Sequence, residues 1–225
     1  MTMMNSNSSQ SSSKGGKNLF VTVGTTRFDK LVEAVTSKVA LEWMKRQGFS
    51  SLTIQYGRGI KPPELISSSS SSSILDIQTY DFRPALIDDM EKADLILSHA
   101  GAGTVMEVLR MKNFDYNSNN NSNNNDNDND NNNNNKTTTG TTKKLIVVIN
   151  TELMDNHQTE LATAMADRGH IFVVDEPEKL QSIKTWTSFE GFVPTPHNNN
   201  EAGDPFDFPI LLDSFLGHPS SDKNE

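Results

Sequence analysis

Hydrophobic and polar residues follow two different periods along this chain, and each period predicts one kind of element. Short runs rich in β-branched and aromatic residues predict six strands, at residues 19–23, 52–56, 74–80, 94–98, 144–149 and 170–174. Apolar residues three or four positions apart predict helices between them, at residues 28–39, 84–93, 103–111 and 155–168. Pro84 is expected in the first turn of its helix, and Gly169 is expected to end the last helix.

The alternation of strand and helix predicts the fold class. Strands joined through helices by short links form right-handed crossovers, which give a mostly parallel sheet covered on both faces. We therefore predict one α/β domain with a doubly wound, mostly parallel sheet over residues 18–176. Ligands bind at the carboxyl ends of the strands in such sheets, so the turns after the first, fourth and fifth strands form the candidate site.

Three segments of low complexity interrupt this pattern. The tail at residues 1–17, the serine run at 67–73 and the Asn- and Thr-rich insertion at 117–142 contain too few apolar residues to offset the entropy cost of ordering. Residues 177–225 are predicted to be a linker followed by one amphipathic helix at about 206–217. The apolar side chains of that helix would cover either its own domain or another chain; they are Ile210, Leu211, Phe215 and Leu216.

The composition excludes several classes of function. The formal net charge is −9, so no basic surface indicates binding to nucleic acid. The chain has no cysteine, which excludes disulfides and thiolate metal sites. Its first residues lack the apolar core of a signal peptide, and no stretch approaches the roughly 20 apolar residues of a membrane-spanning helix.

The turn after the fourth strand, within LILSHAGAGTVMEVLR, is typical of an anion site because it opens directly into a helix. It is not a dinucleotide fingerprint, since the third small residue of G-x-G-x-x-G would fall at Met106, and it lacks the Gly-Lys-Ser/Thr of a Walker loop. The alternative is that Gly101 and Gly103 only make a tight turn. Glu107 lies one helical turn beyond Gly103, where a carboxylate can accept hydrogen bonds from sugar hydroxyls. A diphosphate joined to a ribose suits this pair of features, although Glu107 could equally be a solvated helix residue.

The other two turns also carry polar residues. The first turn offers a glycine and two hydroxyls, and the simpler interpretation is that Thr25 or Thr26 caps the next helix. In the third turn, Asp155 and Gln158 have the spacing of a capping pair. A capping pair leaves unexplained the crowding of Asn156, His157 and Glu160 at the same helix start.

Three segments together resemble a known family: LFVTVGTTRFDKLVEAV, ADLILSHAGAGTVMEVL and LIVVINTELMDNHQTELATAMADRGHIFVV. They resemble the catalytic subunit of the eukaryotic transferase that adds the second N-acetylglucosamine to dolichol-diphosphate-linked N-acetylglucosamine. That subunit is similar to the C-terminal, donor-binding half of the bacterial peptidoglycan N-acetylglucosaminyltransferase, a GT-B enzyme of glycosyltransferase family 28. The resemblance covers roughly residues 19–174 apart from the insertions, and it implies a Rossmann-like domain.

The resemblance also implies a set of substrate-binding residues. The fourth-strand turn would hold the UDP diphosphate, Glu107 the ribose, and the third turn the sugar and nucleotide, while the first turn would face the cleft toward the partner. The residues concerned are Gly24, Thr25, Thr26, Ser98, Gly101, Ala102, Gly103, Thr104, Glu107, Asn156, His157, Gln158 and Glu160.

The resemblance further implies that this chain is half of an enzyme. A membrane-anchored subunit would bind the lipid-diphosphate acceptor and recruit this chain, through the helix at 206–217, to the cytosolic face of the endoplasmic reticulum. The expected reaction is an inverting transfer from UDP-N-acetylglucosamine without a metal or cofactor. His99 is the candidate base in the glycine turn, and a base on the partner is the alternative. A non-catalytic UDP-sugar-binding or scaffold subunit remains the alternative function.

Overall fold

The computed structural model describes residues 16–63, 75–114, 138–152 and 156–195. The strands in this part of the chain are β1 (Lys17–Thr22), β2 (Phe49–Gln55), β3 (Asp76–Tyr80), β4 (Leu95–His99), β5 (Lys112–Phe114), β6 (Thr138–Thr142), β7 (Lys144–Val148) and β8 (Phe172–Val174). The helices are α1 (Asp29–Val35), α2 (Lys38–Arg46), α3 (Ile87–Lys92), α4 (Ala102–Arg110), α5 (Asn156–Asp167) and α6 (Ile183–Glu190), with a 3₁₀ helix at Pro177–Gln181 before α6.

Six of the strands form one sheet in the order β3-β2-β1-β4-β7-β8, and every neighbouring pair is parallel. This is the doubly wound order, which confirms the predicted fold class and the six predicted strands. The chain runs outward from β1 to β3 and then returns to place β4 on the other side of β1. The direction of winding therefore reverses between β1 and β4, and a crevice at their carboxyl ends is where such folds bind ligands.

Helices cover both faces of the sheet. Successive side chains of β1 alternate between the two apolar layers, so Leu19 and Val21 belong to one layer and Phe20 to the other. The first layer is completed by α1, α2 and α6, and the second by α3, α4 and α5. In the described residues no helix is long and apolar enough to cross a membrane.

The predicted helix at residues 28–39 is in fact two helices, α1 and α2. Ser37 separates them, and its hydroxyl accepts a hydrogen bond from the Ala40 amide as the cap of α2. The apolar spacing continues through this break and therefore could not reveal it. The prediction for Pro84 was also wrong, because α3 begins at Ile87 and Pro84 lies in the loop before it. Gly169 does follow α5, and its φ of +73° is the conformation that ends a helix most easily on glycine.

The predicted linker after residue 176 begins with folded structure. Trp186 of α6 is fully buried and stacks on Trp43 of α2 with 4.2 Å between ring centroids. Its indole N–H donates a hydrogen bond of 2.7 Å to the Leu180 carbonyl. The domain therefore extends through α6, while the predicted helix at 206–217 lies outside the described residues.

A two-stranded antiparallel hairpin, β5 with β6, was not predicted. Its second strand is formed by the Thr-rich end of the insertion at 117–142, and residues 115–137 lie outside the described part of the chain. The hairpin follows the end of α4 and leads into the start of β7. The ends of the insertion are thus connected to the amino-terminal edge of the sheet, opposite the carboxyl-terminal crevice.

Candidate functional site

A cleft of about 340 Å³ opens at the carboxyl-terminal edge of the sheet. Four separate parts of the chain line it: the turn after β1, the end of β2, the loop between β3 and α3, and the exposed face of α4. The lining residues include Gly24, Thr25, Gln55, Phe82, Arg83 and Glu107. The structure thus brings together the first predicted turn and the predicted ribose ligand, which are more than 80 residues apart in sequence.

The turn after β1 has a constrained backbone. Gly24 has a φ of +61°, which favours glycine, and a Cβ at this position would lie 2.9 Å from Cε1 of His99. The Thr26 hydroxyl donates a hydrogen bond of 2.8 Å to the Val23 carbonyl. The N-terminal cap of α1 is Phe28 and no side chain caps it, so the expected capping by Thr25 or Thr26 was wrong.

The start of α4 has no side-chain cap. Gly101 occupies the capping position, and the first helical hydrogen bond runs from the Val105 amide to the Gly101 carbonyl. The amides of Ala102, Gly103 and Thr104 precede this bond, so they point out of the helix as its unpaired first-turn donors. Gly103 is exposed, and no described atom lies within 4 Å of where its Cβ would be. As far as the described residues show, the helix mouth therefore combines free donors with open space.

His99 lies beneath both glycine turns. Its side chain is 6% exposed, and a Cβ on Gly101 would come within 2.5 Å of its Nε2 atom. Its Nδ1 atom is buried and has no hydrogen-bond partner among the described residues. Burial lowers the pKa of His99 below 6.5, and a hydrogen bond with the Thr22 backbone acts in the opposite direction. The ring is therefore neutral near pH 7.

Glu107 and Ser98, both predicted ligands, occupy different environments. Glu107 is exposed on α4 one turn beyond Gly103, and it lines the cleft. Ser98 is fully buried, and its hydroxyl donates a hydrogen bond of 2.8 Å to the His99 carbonyl. Ser98 thus shapes the end of β4 in this structure, and its contact with a ligand stays a prediction.

The third predicted turn follows β7, which lies next to β4 in the sheet. Asn150 connects it to the first turn, because its side-chain amide donates to the Arg27 carbonyl and its oxygen accepts from the Glu152 amide. Glu160 is exposed on α5 and is not among the residues that line the cleft. The side chains of three further predicted residues lie outside those that the structure describes: Asn156, His157 and Gln158.

Residues from the loop before α3 were missed in the sequence. Phe82 is 64% exposed and lines the cleft beside Arg83. The Arg83 guanidinium lies 3.9 Å from the ring centroid of Tyr80 and donates to both carboxylate oxygens of Asp89, at 3.0 and 3.2 Å. Burial, together with the hydrogen bond to Asp89, raises the pKa of Tyr80. The sequence feature that could have revealed these residues is an aromatic and a cationic residue just before Pro84, at the end of a predicted strand.

A model of the glycosyltransferase family 28 C-terminal domain matches residues 18–114, which include the first and second glycine turns and Glu107. The structure thus defines the class as an α/β domain with a doubly wound parallel sheet, whose first part is similar to a glycosyltransferase family 28 C-terminal domain. In the described residues, no group of three or more His, Cys, Asp or Glu side chains comes together as a metal site.

Curated proteins called "UDP-N-acetylglucosamine transferase subunit ALG13" are similar over most of the chain. The one from Cryptococcus neoformans is 30% identical over 175 residues, covering 76% of this chain and 85% of that protein. The human one is 36% identical over 156 residues, covering 69% of this chain and 11% of that protein. The chain belongs to this family of transferase subunits. It spans only about a tenth of the length of the human and mouse relatives.

Two solved structures are also similar. An NMR solution structure of ALG13 has 24% sequence identity and a TM-score of 0.49, covering 81% of this chain and 92% of that one. The crystal structure of Acinetobacter baumannii MurG has 18% identity and a TM-score of 0.46, covering 80% of this chain and 43% of that one.

Proposed function

We propose that this chain is the donor-binding catalytic subunit of a transferase that moves N-acetylglucosamine from UDP-N-acetylglucosamine to N-acetylglucosaminyl-diphosphodolichol. This is the second step in assembling the lipid-linked oligosaccharide for protein N-glycosylation. The observation that carries the proposal is the mouth of α4, which has no side-chain cap among the described residues and opens beside Gly103, with Glu107, a residue that lines the cleft, one turn further along the helix. Membership of the family supports the choice of donor.

The diphosphate of UDP is the group that suits the mouth of α4. Its negative charge matches the free amides of Ala102, Gly103 and Thr104 and the positive end of the helix dipole. An exposed carboxylate such as Glu107 repels a phosphate because both groups are negatively charged, but it can accept hydrogen bonds from the two ribose hydroxyls. Phe82 and Arg83, which line the same cleft as Glu107, offer flat surfaces to the remainder of the nucleotide.

The remaining predicted contacts complete the donor site in this proposal. Thr25 lines the cleft from the first turn, Thr26 would join it there, and the helix start after β7 would contribute Asn156, His157, Gln158 and Glu160 to the sugar. Support for this arrangement comes from the sheet order, which places the carboxyl end of β7 next to that of β4.

The proposed reaction inverts the anomeric carbon. The 4-hydroxyl oxygen of the acceptor sugar forms a bond to the anomeric carbon while the bond between that carbon and the diphosphate oxygen breaks. UDP then leaves with its negative charge stabilised by the first turn of α4. The hydroxyl proton passes to a base. Neutral His99 is the base that this chain offers, and its burial beneath Gly24 and Gly101 makes a base on the partner subunit the alternative.

The acceptor would be bound by a separate, membrane-anchored subunit. The two chains would form a heterodimer at the cytosolic face of the endoplasmic reticulum, with the helix at residues 206–217 as the docking element. Its apolar side chains, Ile210, Leu211, Phe215 and Leu216, are the proposed contacts.

The test is co-expression of the full chain with the candidate membrane subunit, followed by assay on a lipid-diphosphate acceptor with radiolabelled UDP-N-acetylglucosamine. We expect transfer only when both chains are present. Loss of transfer in Glu107→Ala, with the heterodimer intact, would support the assigned site. UDP binding without any transfer would instead indicate the non-catalytic scaffold, and absence of UDP binding would refute the proposal.

A further inference from the structure

Gln55, the last residue of β2, uses every hydrogen-bonding position of its side chain. It is 1% exposed, yet it reaches the floor of the cleft. Its carbonyl oxygen accepts from the Thr22 hydroxyl at 2.6 Å and from the Val23 amide at 3.2 Å. Its amide nitrogen donates to the carbonyls of Gly24 and Asp81, both at 2.7 Å. One side chain thus joins the ends of three strands.

These bonds fix the shape of the turn after β1. The Thr22 hydroxyl that donates to Gln55 also accepts from the Gly24 amide at 3.2 Å. The Gly24 carbonyl is therefore bonded to Gln55 directly, and the Gly24 amide is connected to it through the Thr22 hydroxyl. The loop after β2 closes on the same turn, because the Arg58 amide donates to the Thr26 carbonyl at 3.0 Å. With φ at +61°, Gly24 needs such contacts to hold one conformation.

The fourth bond extends to a second part of the cleft lining. Asp81 immediately precedes Phe82 and Arg83, which line the same cleft as Gly24. Because the same amide nitrogen holds the Gly24 and Asp81 carbonyls, the separation of these two parts of the lining depends on it. We propose that Gln55 is a positioning residue that sets the spacing between the Gly24 turn and the Phe82 part of the lining for the nucleotide. This inference rests on the proposed function.

The substitution Gln55→Glu distinguishes the two hydrogen bonds that this side chain accepts from the two that it donates. A carboxylate keeps the acceptor bonds from Thr22 and Val23 but sets an oxygen against the Gly24 and Asp81 carbonyls, which leaves them unpaired. Because burial raises the pKa of a carboxyl group, acidification should protonate it and restore one donor. A side chain that only filled space would show no such recovery.

The experiment measures UDP affinity of the full chain by calorimetry at pH 8 and pH 6, at a temperature where circular dichroism shows each variant folded. In Gln55→Glu we expect the Kd at pH 8 to rise about tenfold over the wild type and to recover toward it at pH 6. Gln78→Glu, at an exposed glutamine on β3, is the matched control and should bind as the wild type at both pH values. If Gln55→Glu does not fold, Thr22→Val removes the hydroxyl between Gln55 and Gly24, and we expect its Kd to rise several-fold.

The possible outcomes distinguish a failure of the positioning role of Gln55 from a failure of the proposed function. If the wild type binds UDP and a folded Gln55→Glu binds it equally well, the positioning role is wrong while the proposed function stands. A rise in Kd without recovery at pH 6 would also contradict the role, because the restored donor would then have no effect. If the wild-type chain binds no UDP, the proposed function fails and this inference fails with it.

Discussion

Two buried polar side chains at the amino-terminal edge of the sheet are fully engaged within the protein, whereas at the carboxyl-terminal edge the ring of His99 and the first turn of α4 keep groups without a described partner. At the amino-terminal edge, the Lys143 ammonium donates to the carbonyls of Glu91 and Ala93 at 2.6 and 2.7 Å. The Trp43 indole donates to Glu190 at 2.8 Å. At the carboxyl-terminal edge, Nδ1 of His99 has no partner in the described part of the chain, and α4 begins without a cap.

The difference separates a structural edge from a functional one. A buried donor or acceptor without a partner costs about 1–3 kcal/mol, so folding alone favours bonding every group, as around Lys143. The groups without a described partner at the carboxyl-terminal edge are explained if a ligand completes them. The same comparison predicts opposite outcomes for mutations: changes at the amino-terminal edge should lower stability, and changes at the carboxyl-terminal edge should lower nucleotide affinity.

The largest expected effect is on stability, from Trp186→Ala. This change removes the stack on Trp43 and leaves a cavity between α2 and α6, so the free energy of unfolding should fall by about 3–5 kcal/mol. Urea denaturation measures it. Below the unfolding transition the UDP affinity should match the wild type, and a loss of affinity in the folded variant would show that the two edges are coupled.

Gly103→Asp should lower UDP affinity without lowering stability, which is the opposite of the result expected for Trp186→Ala. A carboxylate in the first turn of α4 interacts favourably with the helix dipole, so the free energy of unfolding should stay the same or rise slightly. The same negative charge repels the diphosphate. We expect UDP binding to weaken by about 2–3 kcal/mol, or roughly a hundredfold. Gly103→Asn has the same shape without the charge and is the control. Equal affinity of the two variants for UDP would place the diphosphate elsewhere.

Glu107→Ala tests the ribose contact. Loss of one charged acceptor should weaken UDP binding by about 1.5 kcal/mol, or roughly tenfold, and leave the fold unchanged because the side chain is exposed. Glu33→Ala, at an exposed position on α1, is the matched control for removing a helical glutamate. Calorimetry with uridine as well as UDP should show the loss for both ligands, since both carry the ribose.

The smallest effect concerns pH. The pKa of His99 is lower in the folded protein than in the unfolded chain, so the unfolded state takes up the proton first as the pH falls below about 6.5. Stability should therefore be unaffected by this group above pH 6.5 and should decrease below it, until the pH passes the folded pKa. The slope is at most about 1.4 kcal/mol per pH unit. His99→Asn should flatten urea-derived stability over this range, and an unchanged slope would mean that the ring is not held neutral.

Much of the fold could be predicted because the apolar periods are local. Each of the six strands carries its own run of apolar residues, and Gly103 with Glu107 could be placed on one helix by spacing alone. The elements that were missed depend on distant partners. α6 has only eight residues, too short for a clear period, and the burial of Trp186 is set by Trp43, more than 140 residues earlier.

The site could be predicted only in part for the same reason. Gln55 resembles any polar residue at a strand end, and its role depends on bonds to residues 26 to 33 positions away. His99 was noticed as a candidate base, but only packing shows that Gly24 and Gly101 both close over its ring. Spacing also could not show that the hydroxyl of Ser98 points into the protein.

The central claim is that the diphosphate of the donor binds the first turn of α4 at the carboxyl-terminal edge. The most direct measurement is a UDP titration of the ¹⁵N-labelled full chain followed by backbone amide chemical shifts. The account predicts saturable shifts concentrated at Gly24 and at the amides of Gly101, Ala102, Gly103 and Thr104, with residues at the other edge, such as Phe49 and Lys144, unmoved. Shifts concentrated at that other edge, or a mouth of α4 unaffected at saturating UDP, would contradict it.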